Sequence, residues 1–338
     1  MTEFLRVKRG NKDSKSYRPE LDGIRGVAIL LVLAEHLASK YISFGFLGVD
    51  IFFVLSGYVI YITYFSRPIF SLRNFLLRRF SRLGPGILVV LLFNLLLPKL
   101  RNMSSASDFL KTVFLVKNFG NWTWPLGPYW SLSAEEQFYL LAGSISIILK
   151  KVYFKRVLFV SVMIFCCTIE ITGLFLSLTN YDFNEPNLFN LVFIRPIGIA
   201  IGVFLALSEK HSYFERIHLS KAFSSPYLIV FILIITVYLR SSTFASLLTM
   251  IIIWNCGNSK IINYIKKFFS SKFLVSIGIL SYSIYIWHVT VIVLMPDLQS
   301  KVWDRLLKIV IILIVSYLSY ILLEFPLRNF INRRFTLN

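Results

Sequence analysis

Leu21-Asp-Gly-Ile-Arg-Gly-Val-Ala-Ile-Leu-Leu-Val-Leu-Ala-Glu-His36 is the stretch whose reading decides the fold class. Its apolar run reads as a helix entering a membrane, with Arg25 near one end and His36 deep inside. The two lie eleven positions apart. At ~100° per residue that is within roughly 20° of three full turns, and at ~1.5 Å per residue about 16 Å along the axis. They therefore share one helix face. A charged or titratable group inside a bilayer is costly, so each is a candidate for function. The structural alternative is a His36 satisfied by a carbonyl of a neighbouring helix.

Composition points the same way. The chain has 338 residues, 56% of them hydrophobic, with a mean hydropathy of +0.69. Soluble proteins carry ~45–50% apolar residues. One polytopic membrane domain over residues 1–338 is expected, with no appended soluble domain. The formal net charge of +19 fits cytoplasmic loops facing anionic lipid rather than nucleic-acid binding. Cys166, Cys167 and Cys256 have no metal-site or disulfide spacing, so no metal is expected. The first 20 residues are polar and basic and lead into a span, so no cleavable signal peptide is expected.

Ten apolar runs follow one another: Ile24–Ala38, Leu47–Phe65, Gly86–Leu97, Trp130–Leu149, Val157–Leu178, Leu188–Leu207, Pro226–Leu239, Phe244–Cys256, Phe273–Met295 and Leu306–Leu323. A full span needs ~20 residues, so the third, seventh and eighth are short. With a cytoplasmic N-terminus, the inside loops hold 25 Lys and Arg and the outside loops 8. That bias fits an all-α bundle of about ten transmembrane helices with both termini cytoplasmic, the tails being 1–20 and 325–338. The multi-pass protein is expected in the bacterial cytoplasmic (inner) membrane. The longest stretch between runs, Pro98–Tyr129, then lies outside. Its Trp122, Trp124 and Tyr129, with Trp130, suit the interface, or a sugar approaching it.

The same topology gives depths. In a core ~30 Å thick, His36 lies ~18 Å from the inner edge, Glu170, Glu136 and Arg195 ~20 Å, His288 ~22 Å and Asp50 ~25 Å. These groups come from six different runs and share one layer in the outer half. Arg25 lies near the inner side. Phe75-Leu-Leu-Arg-Arg-Phe-Ser-Arg-Leu-Gly-Pro85 precedes the third run and puts Arg78, Arg79 and Arg82 at helical spacing. Such a cluster binds phosphates by paired hydrogen bonds, or anchors the chain to lipid headgroups.

These stretches, taken in order, resemble the membrane-bound acyltransferases of family 3. The matching segments are Leu21–Arg25 with the gap to His36, Gly45-Phe-Leu-Gly-Val-Asp-Ile-Phe-Phe-Val-Leu-Ser-Gly-Tyr58, Arg78–Arg82 before Pro85, and Trp130-Ser-Leu-Ser-Ala-Glu-Glu-Gln-Phe-Tyr139. Arg195, Ser281-Tyr-Ser-Ile-Tyr-Ile-Trp-His288 and Glu324-Phe-Pro326 complete the series. The resemblance implies transfer of an acyl group, commonly acetyl, from cytosolic acyl-CoA to a hydroxyl of a glycan. It implies that His36 is the catalytic histidine and that Glu136 or Glu135 fills the family's acidic position. Arg25, Arg79 and Arg82 would hold the donor. Some members carry a further esterase-like domain; here the acceptor is expected to reach the membrane layer directly or through a separate protein.

The chemistry fits that implication. A sugar hydroxyl needs a base, and a neutral imidazole strengthened by a carboxylate, Glu136 or Glu35, can serve. Arg195 or His288 could donate to the developing oxyanion. Direct attack and a transient acyl-histidine both remain open. Ser56 and Ser131 read as packing residues, and Glu170 as a structural hydrogen bonder. His211 and His218 read as solvated. The expected acceptor is O-antigen or another envelope polysaccharide, with acetyl-CoA as donor substrate and no bound cofactor. A small molecule or a lipid-linked saccharide is the alternative acceptor. A transporter is the alternative class, although no matched, broken half-helices are present to favour it.

Overall fold

The computed structural model describes residues 17–65, 71–119, 123–148, 197–211, 225–239, 241–258 and 263–335, with residues 157, 161, 164 and 168 as single helical positions. Among them there is no strand. The helices are α1 (Pro19–Ala38), α2 (Leu47–Ile60), α3 (Leu72–Leu96), α4 (Pro98–Met103) and α5 (Ala106–Val113). They continue with α6 (Trp130–Ile148), α7 (Ile197–His211), α8 (Pro226–Leu239), α9 (Ser242–Asn258) and α10 (Asn263–Phe269). The last three are α11 (Lys272–Leu294), α12 (Lys301–Ser319) and α13 (Phe325–Phe335). Among the described residues, four stretches are long and apolar enough to cross a membrane: Leu47–Phe65, Leu72–Leu96, Lys272–Leu294 and Lys301–Phe335. Most of the fifth run, the start of the sixth, and Glu170 and Arg195 within them lie outside the described residues.

The described residues divide into two units. The first contains α1, α2, α7 to α10 and α11 as far as Ser281. Pro19 opens α1, where its missing N–H costs nothing, and Glu20 and Asp22 complement the helix dipole in the first turn. At the centre, α2 packs along α7, and both pack on α9. The contact is backbone to backbone. A Cβ on Gly57 would sit 1.9 Å from the Ile199 carbonyl oxygen, and one on Gly202 2.0 Å from that of Val54. Small residues permit that approach, and dispersion between close helices supplies attraction where lipid removes the hydrophobic drive. Phe53, Val54, Leu55 and Leu205 are buried around the crossing.

The second unit contains α3 to α6, α11 from Tyr282, α12 and α13. Here α3 is the common wall, touching α4, α5, α6 and α13. Its extent corrects one expectation. Gly86–Leu97 reads as a short span with a basic lead-in, but the basic segment is the first half of the same helix. Ser71 caps it, accepting from the Asn74 N–H at 3.4 Å. Leu and Arg are good helix formers, and the helix runs through Pro85. A second difference concerns the C-terminus. The run Leu306–Leu323 continues through a π-helical turn, Tyr320–Glu324, into α13. Residues 325–335, expected as part of a tail, are helical and pack on α3, where the Ser81 hydroxyl lies 3.0 Å from Asn332 Oδ1. On α12 and the π turn that follows it, Val302, Leu306, Val310, Ile314, Leu318 and Leu322 are all exposed. Their four-residue spacing makes an apolar row that winds slowly around the helix, as on a helix with much of its circumference turned to lipid.

Candidate active site

In the first unit the functional groups belong mainly to α1. His36 is half-buried, and its Nδ1 lies 2.9 Å from the Val32 carbonyl oxygen of its own helix. A carbonyl only accepts, so in the neutral ring Nδ1 carries the proton and Nε2 the lone pair. That is the tautomer a general base needs. The carbonyl comes from the preceding turn rather than from a neighbouring helix. Arg25, three turns below, donates from Nη1 to Asp22 Oδ1 at 3.2 Å, and Asp22 Oδ2 accepts from the Tyr17 hydroxyl at 2.9 Å. Glu35, one expected partner for the imidazole, accepts from the Gly45 N–H at 2.9 Å and so ties α1 to the α1–α2 connection. Asp50 is fully buried in α2.

The same unit holds a cluster that the sequence reading missed. Arg18 donates to Glu20 at 2.7 Å, to the Ile253 carbonyl at 3.3 Å and to the Tyr58 hydroxyl. Tyr58 in turn donates to Glu209 at 2.5 Å, across 151 residues. One guanidinium thereby links the start of α1 to α2, α7 and α9. Tyr58 closes the quoted Gly45–Tyr58 segment, but nothing local points to Glu209.

In the second unit α3 and α6 meet through charge. Arg79 Nε donates to Glu136 Oε1 at 3.0 Å, and Nη2 donates to Glu135 Oε1 at 3.1 Å and to Glu136. All three residues are largely buried. Two carboxylates on one guanidinium satisfy a charge that hydrocarbon would otherwise penalise. The Tyr139 hydroxyl donates to Glu135 Oε1 at 2.9 Å. Arg82 stands one turn beyond Arg79 on α3. The adjacent strip of α11 is knitted to the start of α6: Tyr285 donates to the Pro128 carbonyl at 2.7 Å and pairs with Ser131 at 2.6 Å, while Tyr129 donates to the Ile286 carbonyl at 3.0 Å. Ser131 is thus a helix-joining residue. His288 Nδ1 lies 2.6 Å from the Tyr285 carbonyl. Its neutral ring therefore also keeps the lone pair on Nε2, and Nε2 can donate to an oxyanion only as the cation. Glu324, brought in by the π turn, accepts from Ser283 at 2.7 Å and Ser319 at 2.8 Å.

Of the expected site residues, the structure groups Arg79, Glu135 and Glu136 in direct contact with Arg82 beside them. His36 and Arg25 lie on α1, Asp50 on α2 and His288 on α11. Arg195 lies outside the described residues.

Among the described residues, helices without strands, membrane-length apolar helices and buried ionic clusters narrow the class to membrane-embedded proteins with internal polar sites. Residues 18–326 match the acyltransferase domain of acyltransferase family 3, and the chain belongs to that family. This sets aside the transporter reading. The peptidoglycan O-acetyltransferase OatA of Listeria monocytogenes is 28% identical over 96% of this chain and 58% of its own length. The O-acetyltransferase OatA of Staphylococcus aureus NCTC 8325 is 28% identical over 94% of this chain and 58% of its own. A putative O-acetyltransferase of S. aureus MSSA476 is 29% identical over 93% and 58%. The chain thus spans less than three-fifths of the length of these curated relatives. No solved structure matches it.

Proposed function

We propose that this protein is a membrane O-acetyltransferase that takes acetyl from cytosolic acetyl-CoA and delivers it to a hydroxyl of a cell-envelope glycan. The observation that carries the reading is the His36 tautomer, Nδ1–H held by the Val32 carbonyl, on a chain of an acyl-transferring family. The acceptor hydroxyl gives its proton to Nε2 as its oxygen attacks the thioester carbonyl. The tetrahedral intermediate collapses, the C–S bond breaks, and the CoA sulfur leaves as thiolate or takes the proton back from the imidazolium. Glu136 or Glu135 is proposed to fill the family's acidic position. Arg25, Arg79 and Arg82 are proposed to hold the donor's phosphates. Arg79 Nε and Nη2 face carboxylates, so a phosphate would meet it at the Nη1 edge. The name of one relative, the peptidoglycan O-acetyltransferase OatA of Listeria monocytogenes, favours peptidoglycan over O-antigen as the glycan.

The test is base-labile acetate on envelope glycans from cells expressing the protein, analysed by mass spectrometry. Wild type should add acetate to the glycan and His36→Ala at matched membrane level should add none. Normal acetylation by His36→Ala would sink the base assignment. Acetate found only on a lipid-linked saccharide or a small molecule would move the acceptor, leaving the transfer step intact.

A further inference from the structure

Two helical stretches of the second unit are longer than a membrane is thick. Leu72–Leu96 has 25 residues and Lys301–Phe335 has 35. At ~1.5 Å per residue these make about 37 and 52 Å of helix, against a hydrocarbon core of ~30 Å. The surplus is basic: Arg73, Arg78, Arg79 and Arg82 fall in the first half of α3, and Arg328, Arg333 and Arg334 in α13. Charge inside hydrocarbon is costly, so these ends belong at the headgroups. The two ends pack on each other, α13 against α3, with Ser81 beside Asn332.

What each end exposes is ordered along its helix. On α3, Arg73, Leu76 and Phe80 are exposed and stand three and four residues apart, one row on one face. On α13, which has no buried residue, Leu327, Phe330 and Arg334 are exposed at the same spacing. In both rows the two apolar side chains stand toward the apolar part of the helix and the arginine stands beyond them. Arg333 is exposed beside Arg334. Arg79 is six residues from Arg73, about 240° round the helix, so its contact with Glu135 and Glu136 belongs to another face.

We propose that the packed ends of α3 and α13 form a binding site for an anionic phospholipid: the exposed arginines take its phosphate, and the leucine and phenylalanine of each row lie against the first methylenes of its chains. The order of the rows carries this assignment. From the membrane core outward a phospholipid presents methylenes and then phosphate, and each row presents apolar side chains and then arginine. A water-soluble phosphate ligand would match the arginines and leave the exposed phenylalanines in water. Guanidinium groups bind phosphate oxygens by paired hydrogen bonds. Loop charge predicts that this side is the cytoplasmic one, where the leaflet is negatively charged.

The purified full chain in neutral detergent, titrated with phosphatidylglycerol or with phosphatidylcholine of the same chain length, reports bound lipid by native mass spectrometry. Wild type should hold phosphatidylglycerol more tightly than phosphatidylcholine. One arginine near an anionic headgroup is worth about fivefold, so the pair Arg73→Gln and Arg334→Gln should weaken phosphatidylglycerol about twentyfold and leave phosphatidylcholine within about twofold. The pair Arg73→Lys and Arg334→Lys keeps the charge and should retain most of the preference, which separates lost charge from a damaged fold. Phe80→Ala with Phe330→Ala should weaken both lipids alike. Equal binding of the two lipids by wild type, or an undiminished preference in the glutamine pair, would overturn the proposal. Displacement of bound phosphatidylglycerol by equimolar acetyl-CoA would also overturn it, because the surface would then be a nucleotide site. These measurements involve no acyl transfer, so their outcome is independent of the proposed function.

Discussion

Arg79 is the residue on which the second unit's polar interior depends. It is 7% exposed and faces two carboxylates. Removing one partner of a buried ion pair leaves an uncompensated charge, typically ~3–5 kcal/mol. Arg79→Ala is therefore expected to destabilise the protein by about that much, read as a lowered unfolding midpoint in detergent. Adding Glu136→Gln to that variant should recover part of the loss, because it removes one of the stranded charges. A midpoint unchanged by Arg79→Ala would place the carboxylates in contact with water. At this scale the sequence was partly legible. Arg79, Glu135 and Glu136 are visible as charges next to apolar runs, but their mutual contact spans 56 and 57 residues, and no periodicity encodes it. Tyr139 could have been found, since its spacing from Glu135 is a helical one.

Among the elements, two contacts give contrasting predictions. The α2–α7 crossing depends on absent side chains. Gly202→Leu would drive a side chain into the Val54 carbonyl, already 2.0 Å from a bare Cβ. It should lose the folded protein from the membrane fraction, whereas Gly202→Ser at the same site should be milder but still reduced. Equal yields of wild type and Gly202→Leu would mean that the helices can part without loss. The second contact lies in α5. Asp108 forms a capping box with Ser105 and pairs with Lys117. Burial opposes its charged form, but the bonds from Lys117, Ser105 and Thr123 prevail and hold its pKa at about 2. A carboxyl depressed in the folded state contributes stability above its unfolded pKa of ~3.9, and loses it as pH falls toward 2. The unfolding midpoint should therefore drop between about pH 4 and pH 2, and Asp108→Asn should flatten that part of the curve. The segment matters to α6, because the Lys117 N–H donates to Ser133 and Gln137 donates to the Leu115 carbonyl. These bonds seat the turns that carry Glu135 and Glu136.

For the molecule as a whole, loop charge predicts an orientation in the bilayer. The excess of Lys and Arg in alternate loops predicts that residues 98–129 and 296–304 lie on one side and the start of α3 on the other. Ser107 and Gln299 are exposed at the first pair of sites and Arg73 at the second. In a background lacking Cys166, Cys167 and Cys256, cysteines at 107 and 299 should react with a membrane-impermeant thiol reagent on intact spheroplasts. A cysteine at 73 should react only after lysis. Labelling of 73 alone from outside would invert the topology, and donor entry from the cytoplasm past Arg79 and Arg82 would fail with it.

Taken alone, the sequence determined the helical class, most helix positions and the family. Long apolar runs leave the backbone no partner in lipid except itself, so run length and helix coincide. Leu47–Phe65 and Pro226–Leu239 match the described elements at both ends. Runs flanked by basic residues were misjudged. The segment holding Arg73 and Arg78, and the one from Arg328 to Arg334, read as loop or tail because hydropathy measures burial in lipid, not helicity. Both segments are helical. Only the tertiary structure decided which charges meet: Arg79 with Glu135 and Glu136, Arg18 with Tyr58 and Glu209. Those pairings depend on which helix faces are pressed together, and one chain's periodicity gives each face but not its neighbour.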